Sequence, residues 1–455
     1  MGLTAAEVGQ PTDRERLLRQ AVTVLIDNWR GHATVPSRGL YPHQWSWDSA
    51  FIALGLQHVF PRRAATELLS LFGGQWQDGR VPHIVFNPAV PDEAYFPGPS
   101  FWRSSDRPGH PPVATSGIIQ PPVHALAAAA VASRLEEDGL VFARRIYDVL
   151  SAQNAYLRKG RTVGPNGLAA VVHPWETGLD NSPAWDAPLH AVPADLRLFE
   201  TYTRRDLGHA GAGERPTDED YARYIRLALA YRDHDYDDDW VRAKAEFLVV
   251  DPGFNALWAW SELALASLAK RIGAEPGPHL AEADRIISAL VDGLWSERLG
   301  IFVAYDARTG QLHGERTVGG LLPILLPGLP QPTVGALVAT LIGEAFRAQD
   351  DEVNGVPSFD MTDPRYDARR YWRGPSWLNT TWLVAGGLRT HGRHELADKL
   401  NADILRLVER AGLREYFNPT TGSGHGTDDF SWSAAVLIDV LSRRVVAQGP
   451  SARSA

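Results

Sequence analysis

Between Tyr41 and Asp48, three rings (Tyr41, Trp45 and Trp47) stand beside one carboxylate, and an apolar stretch of helical spacing, Phe51 to Val59, follows at once. A pyranose offers apolar C–H faces that stack on indole and phenol, and a rim of hydroxyls that donate to carboxylates. Rings beside acids therefore read as sugar recognition. The association returns at Trp175, Glu176, Asp180, Trp185 and Asp186, at Tyr371, Trp372 and Trp377, and at Glu415 to Pro419. One such cluster is compatible with core packing, whereas four in Pro- and Gly-containing segments point to a site.

Glycoside hydrolysis needs a protonated acid at the leaving oxygen and a second carboxylate that attacks or activates water. With 54 acidic residues in the chain, surroundings must select the pair. Asp180 lies between Gly178 and Pro183 with Trp175 and Trp185 nearby, where burial against indole favours a retained proton. The competing use is as an N-cap for a helix starting near Pro183. Glu415 follows a helix end at Gly412 and opens a turn, as a general base would; pairing with Arg410 or Arg414 is the alternative. Asp48 falls in a first helical turn, where the dipole favours the ionised form and an acceptor role toward sugar hydroxyls. Glu176 and Asp186 read as supporting or structural groups.

Tyr41, Trp45, Trp47, Trp175, Tyr371, Trp372 and Trp377 are the candidate walls for the ring, while Trp258 and Trp260, inside a regular helix, go to the core. Gln120 and His83 are loop polar groups, open between bonding their own loop and touching ligand.

These residues need a frame to converge. Apolar spacing predicts helices over 17–29, 50–59, 64–76, 123–135, 141–157, 221–231, 254–272, 280–295, 334–346, 377–388, 394–411 and 432–445. Strand-like alternation is confined to Ile301–Tyr305 and Gly167–Val172. A weak echo links Leu294–Gly310 with Leu413–Gly422, each ending in a Thr-Gly turn. A dozen helices without heptads or a short repeat suit a closed ring of helix pairs better than a coiled coil or solenoid. Three connections, 79–122, 158–217 and 350–375, are too long to be mere links and form the expected cap over a site; the Gly208–Gly213 stretch is expected to close over substrate. No linker divides the chain, so 1–455 reads as a single catalytic domain.

A formal charge of −9 with no basic stripe excludes nucleic acid and acidic membrane surfaces as partners. The absence of cysteine excludes disulfides and thiolate zinc sites. No leader-like start or bilayer-length apolar run is seen, which makes the cytoplasm the expected compartment. Nothing specifies an oligomeric state.

In six motifs the chain resembles glycoside hydrolase family 63, in its small bacterial branch of glucosylglycerate and mannosylglycerate hydrolases. They are Tyr41 with Trp45, Trp47 and Asp48; Trp175 to Ser182; Arg215 with Pro216, Thr217 and Tyr221; Tyr371 to Trp377; Glu415 to Pro419; and Phe430 with Trp432. The resemblance implies an all-α (α/α)6 barrel, inverting hydrolysis without metal or cofactor, and Asp180 and Glu415 as acid and base. It assigns Arg215, Tyr221 and Tyr371 to the glycerate carboxylate, which suits an Arg fork; pairing of Arg215 with Glu214, Asp218, Glu219 or Asp220 is the structural alternative. The expected substrate is 2-O-α-glucosylglycerate, or the mannosyl compound. Other readings are an α-glucosidase or trehalase-like enzyme on a neutral oligosaccharide, a non-catalytic sugar-binding barrel, and an epimerase using loop histidines such as His43, His83 or His173.

Overall fold

All twelve stretches expected to be helical from apolar spacing are helices in the computed structural model, which describes residues 12–163, 167–204 and 212–447. In chain order the elements are α1 (Asp13–Asp27), α2 (Ser46–Leu56), α3 (Pro61–Phe72), α4 (His124–Arg134), α5 (Asp138–Tyr156), α6 (Asp218–Asp233), α7 (Pro252–Ile272), α8 (Gly277–Leu294), α9 (Val318–Leu321, continued by a tight turn Leu322–Leu325), α10 (Gln331–Ile342), α11 (Leu378–Thr390), α12 (His394–Ala411) and α13 (Ser431–Ala447). Their ends follow local chemistry. Thr12 and Glu15 form a reciprocal capping box at α1. Asp251 accepts from the amides of Gly253 and Phe254 at the start of α7, whose end is turned by Gly273 at φ +79°.

Helices α2, α4, α7, α9, α11 and α13 touch in succession and close on one another, α13 returning to α2. Outside them, α3 packs on α2, α5 on α4, α8 on α7, α12 on α11 and α1 on α13, while α10 reaches α9 through the strand Ile301–Phe302. Six inner elements with six outer partners make the (α/α)6 barrel. Burial follows the layering: every residue of α2 is buried, whereas α3 and α12 bury one face. Helix α6 belongs to neither ring and packs on the turn Leu196–Glu200.

The sixth inner element, α9, carries no helical pattern in the sequence because Gly319 and Gly320 break it. Gly320 is required by close approach: a Cβ there would stand 2.2 Å from the carbonyl oxygen of Phe302. Two strand expectations are corrected. Gly167–Val172 forms only isolated bridges, Thr162 with Ala169 and Val171 with Val249, because its apolar side chains are already buried among helices. The Ile301–Tyr305 run splits into Ile301–Phe302, paired with Trp295–Ser296, and Ala304–Asp306, paired with Val249–Val250 and Gln311–His313. The sequence echo is structural: Gly310 and Gly422 both turn at positive φ, and their amides donate to the carbonyls of Asp306 and Asn418 at 2.8 and 2.9 Å.

Most of the Gly208–Gly213 stretch, expected to close over substrate, lies outside the described residues, as do 164–166 of the second long connection. No described helix is long and apolar enough to cross a membrane.

Candidate active site

The long connections converge on one cavity over the barrel. Its wall takes Tyr41, Trp45, Trp47 and Asp48 from the entry to α2; His83, Tyr95, Phe96 and Gln120 from the first connection; Trp175, Gly178, Asp180 and Arg215 from the second; Tyr221 and Tyr224 from α6; Tyr371 and Trp372 from the third; and Glu415, Phe430 and Trp432 near α13. Every residue expected from the sequence to act on or bind the sugar is present except Trp377. That residue is fully buried behind the wall, stacked on Trp372 at 3.8 Å with the rings 5° from parallel, and on Tyr416 at 4.7 Å. It supports the platform instead of forming it, because it begins α11 inside the inner ring.

Asp180 is half-buried, and its main chain is gripped from several sides. The Tyr224 hydroxyl donates to the Asp180 carbonyl at 2.9 Å, Trp185 Nε1 to the Leu179 carbonyl at 2.8 Å, and the Trp372 amide to Asn181 Oδ1 at 3.0 Å. Arg373 donates to the Asn181 carbonyl while forking onto both oxygens of Asp186 at 2.7 Å. The cap of the turn Pro183–Trp185 is Ser182 and not Asp180. Gly178, at φ +72°, lets Trp47 approach to where any Cβ would meet its ring at 2.6 Å. Beneath, the fully buried Glu176 takes a fork from Arg161 at 2.7 and 2.9 Å and accepts from the amides of Ile119 and Val172. One carboxylate thus ties the loop of Asp180 to the residue before Gln120, whose Oε1 accepts from the Trp47 amide at 3.1 Å.

Glu415 is 1 % exposed, and it is the side chain itself that is held. The Tyr41 hydroxyl donates to Oε1 at 2.8 Å, while Arg215 Nη2 and the Thr427 amide donate to Oε2 at 3.0 and 3.2 Å. Arg215 Nη1 also donates to Tyr41 at 3.0 Å, and its guanidinium lies 4.6 Å from the Tyr371 ring centre. Neither bland alternative holds: Glu415 pairs with neither Arg410 nor Arg414, and Arg215 passes over the acids next to it in sequence. Burial opposes the Arg215 charge, and Glu415 together with the Tyr41, Tyr371 and Tyr416 phenols more than offsets it, so the guanidinium is held well above its ordinary range. Burial also pushes the Tyr41 phenol well above its ordinary range, which keeps it a donor.

Asp48 departs from expectation. Burial pushes its carboxyl well above the ordinary range, and nearby Glu415 and Asp180 add to this, against the pull of its own backbone amide in the first turn. The helix dipole is too weak an effect to offset desolvation, so the net shift is upward, opposite to the ionised form expected from the first helical turn. Among the described loop histidines, only His83 lines the cavity; burial and nearby His173 hold it well below its ordinary range. Burial also takes His43 down to about 4 and His173 to about 3. The described lining thus offers one histidine, not the pair an epimerase of this kind would use as acid and base.

Several wall residues escaped the sequence reading. Tyr224 stands one turn from Tyr221 on the same face of α6, a spacing that could have flagged it. Tyr95 and Phe96 sat in a connection already notable for aromatics. Phe430 and Trp432 had no signal beyond their motif.

Comparison with known proteins agrees with this architecture. Residues 41–433 match the family described as mannosylglycerate hydrolase MGH1-like glycoside hydrolase domain. The chain is 42 % identical to a mannosylglycerate hydrolase of Thermus thermophilus over 92 % of this chain and 99 % of the relative. It is 33 % identical to a glucosylglycerate hydrolase of Mycolicibacterium hassiacum over 94 % and 98 %. The crystal structure of a GH63 mannosylglycerate hydrolase from Thermus thermophilus in complex with Tris and D-glycerate superposes with a TM-score of 0.85 at 41 % identity, covering 93 % of this chain and 99 % of that one. With the family matched across the barrel and its cavity, the chain belongs to the MGH1-like glycoside hydrolases of family 63.

Proposed function

We propose that this enzyme hydrolyses a 2-O-α-glycosylglycerate with inversion, Asp180 serving as general acid and Glu415 as general base. Water attacks the anomeric carbon and passes a proton to Glu415; the bond to the glycerate oxygen breaks, and that oxygen takes the proton of Asp180. Trp45, Trp47, Trp175 and Trp372 wall the sugar, and Asp48 and Gln120 meet its hydroxyls. Arg215, with Tyr221 and Tyr371, receives the glycerate carboxylate. The observation that carries the reading is Arg215 itself: a buried guanidinium in the wall of an indole-lined cavity that also holds both candidate carboxylates. The identities, 42 % against 33 %, favour the mannosyl substrate over the glucosyl one that the sequence put first.

Proton NMR of the enzyme with mannosylglycerate, glucosylglycerate and trehalose in separate tubes tests this. Release of the β-anomer first, from a glycosylglycerate and not from trehalose, is the expected result; first release of the α-anomer refutes inversion. A neutral glycoside is the second reading, favoured by one observation: both terminal nitrogens of Arg215 are already engaged by protein groups. Rapid cleavage of trehalose would establish it.

A further inference from the structure

Two phenols of the cavity wall carry a guanidinium on the ring face. Arg215 lies 4.6 Å from the centre of the Tyr371 ring, and Arg204 lies 4.4 Å from that of Tyr221. Arg215 and both phenols line the cavity, whereas Arg204 stands behind the wall. The Arg204 side chain is 6 % exposed, with Nη1 donating to Asp218 Oδ1 at 2.7 Å and Nη2 to the Pro216 carbonyl at 3.0 Å. One guanidinium thus holds three residues of the stretch 215–221: Pro216, Asp218 and Tyr221. The counter-charge on Asp218 is 66 % exposed and therefore screened by water, while the Arg204 charge acts through the buried ring.

A cation on a ring face is attracted by the π density, and it stabilises negative charge that builds on the phenol oxygen when the O–H donates. The donor is strengthened most toward an ionised acceptor, because charge-assisted hydrogen bonds are the stronger ones. We propose that Arg204 is a positioning residue that sets specificity for an anionic aglycone: from outside the cavity it fixes the Tyr221 ring and strengthens its hydroxyl as a donor to the aglycone carboxylate. It touches neither sugar nor glycerate, and its effect reaches substrate through Tyr221. A neutral aglycone gains much less from the same contact. Selection for the anion is thereby built in two layers, Arg215 in the wall and Arg204 behind it.

This role rests on the glycerate reading, and one experiment separates the two. kcat and KM are measured on the glycosylglycerate and on the methyl α-glycoside of the same sugar, for the wild type, Arg204→Met, Tyr221→Phe and the double variant. Arg204→Met should lower kcat/KM on the glycosylglycerate about fivefold more than on the methyl glycoside, as expected for one partly buried cation–π contact, and the loss should sit in KM. A general loosening of the wall would lower both substrates alike. Phe keeps the ring and loses the hydroxyl, so Arg204→Met should cost nothing further in the Tyr221→Phe background. Equal losses on the two substrates, or the full Arg204→Met loss in the Tyr221→Phe background, overturns the role of Arg204 and leaves the glycerate reading standing. Equal wild-type kcat/KM on the two substrates overturns both. Should Arg204→Met fail to fold, Arg204→Gln, which removes the charge and keeps a donor for the Pro216 carbonyl, takes its place in the same comparison.

Discussion

The two walls of the cavity hold their carboxyl groups by different means. At the acid wall the main chain around Asp180 is pinned by Tyr224, Trp185, Trp372 and Arg373, with the buried Arg161–Glu176 pair beneath. At the base wall the Glu415 side chain is gripped directly by Tyr41, Arg215 and Thr427. Fixing a loop from below places a carboxyl group through its backbone. Fixing the carboxylate itself sets its orientation and also makes its availability depend on its donors. The difference teaches that the wall carrying the candidate acid is organised through its backbone, whereas the wall carrying the candidate base is organised through side-chain hydrogen bonds.

The largest effects should come from the carboxyl groups. Asp180→Asn and Glu415→Gln should each lower kcat by about 10²–10⁴-fold with the fold intact by circular dichroism. They should part on rescue: an aryl glycoside with a good leaving group restores Asp180→Asn, and azide restores Glu415→Gln as the β-glycosyl azide. Rescue in the opposite pattern would reverse the assignments.

Next comes the scaffold beneath the acid. Arg161→Met leaves Glu176 buried without its cation and should cost about 3–5 kcal/mol in urea denaturation, while Arg161→Met with Glu176→Met should cost less than the single change. A double variant as unstable as the single would show that the pair stabilises through its packing and not its charge.

The support of the Tyr41–Asp48 segment is titratable. Glu67, fully buried, accepts from Ser49, Gln44 and the Thr34 amide. Burial pushes its carboxyl from 4.5 to about 7, against the pull of those donors. Between those values the folded protein binds a proton that the unfolded chain has released. The contribution is therefore complete below pH 4.5 and is lost as pH rises through about 7, roughly 3 kcal/mol in all. Glu67→Gln should flatten that part of the stability–pH curve; an unchanged slope would place its origin elsewhere.

The smallest effect is expected at Tyr41→Phe, which removes one donor from Glu415 and one acceptor from Arg215. A kcat loss of about tenfold with little change in KM is expected for a hydrogen bond to a charged group. A change confined to KM would make Tyr41 a wall and nothing more.

Periodicity of apolar residues located every long helix, since a helix that buries a stripe must repeat that stripe in sequence. The ring–acid clusters likewise located the cavity, because a sugar needs both chemistries in one place, and two of its walls come from short contiguous segments, 41–48 and 175–180. Three things were not legible. The inner element α9 was hidden because Gly320 answers to the Phe302 backbone and not to helix propensity. Trp377 was placed one layer too far forward, since sequence does not distinguish a ring in a wall from the ring stacked behind it. The partner of Arg215 was sought among the acids beside it, yet it is Glu415, 200 residues away. Local sequence determined the helices and the kinds of chemistry present, because both depend on near neighbours. Only the closed barrel decided which carboxylate meets which cation, and that burial raises the Asp48 carboxyl above its ordinary range, because long-range proximity and desolvation exist only once the chain has folded.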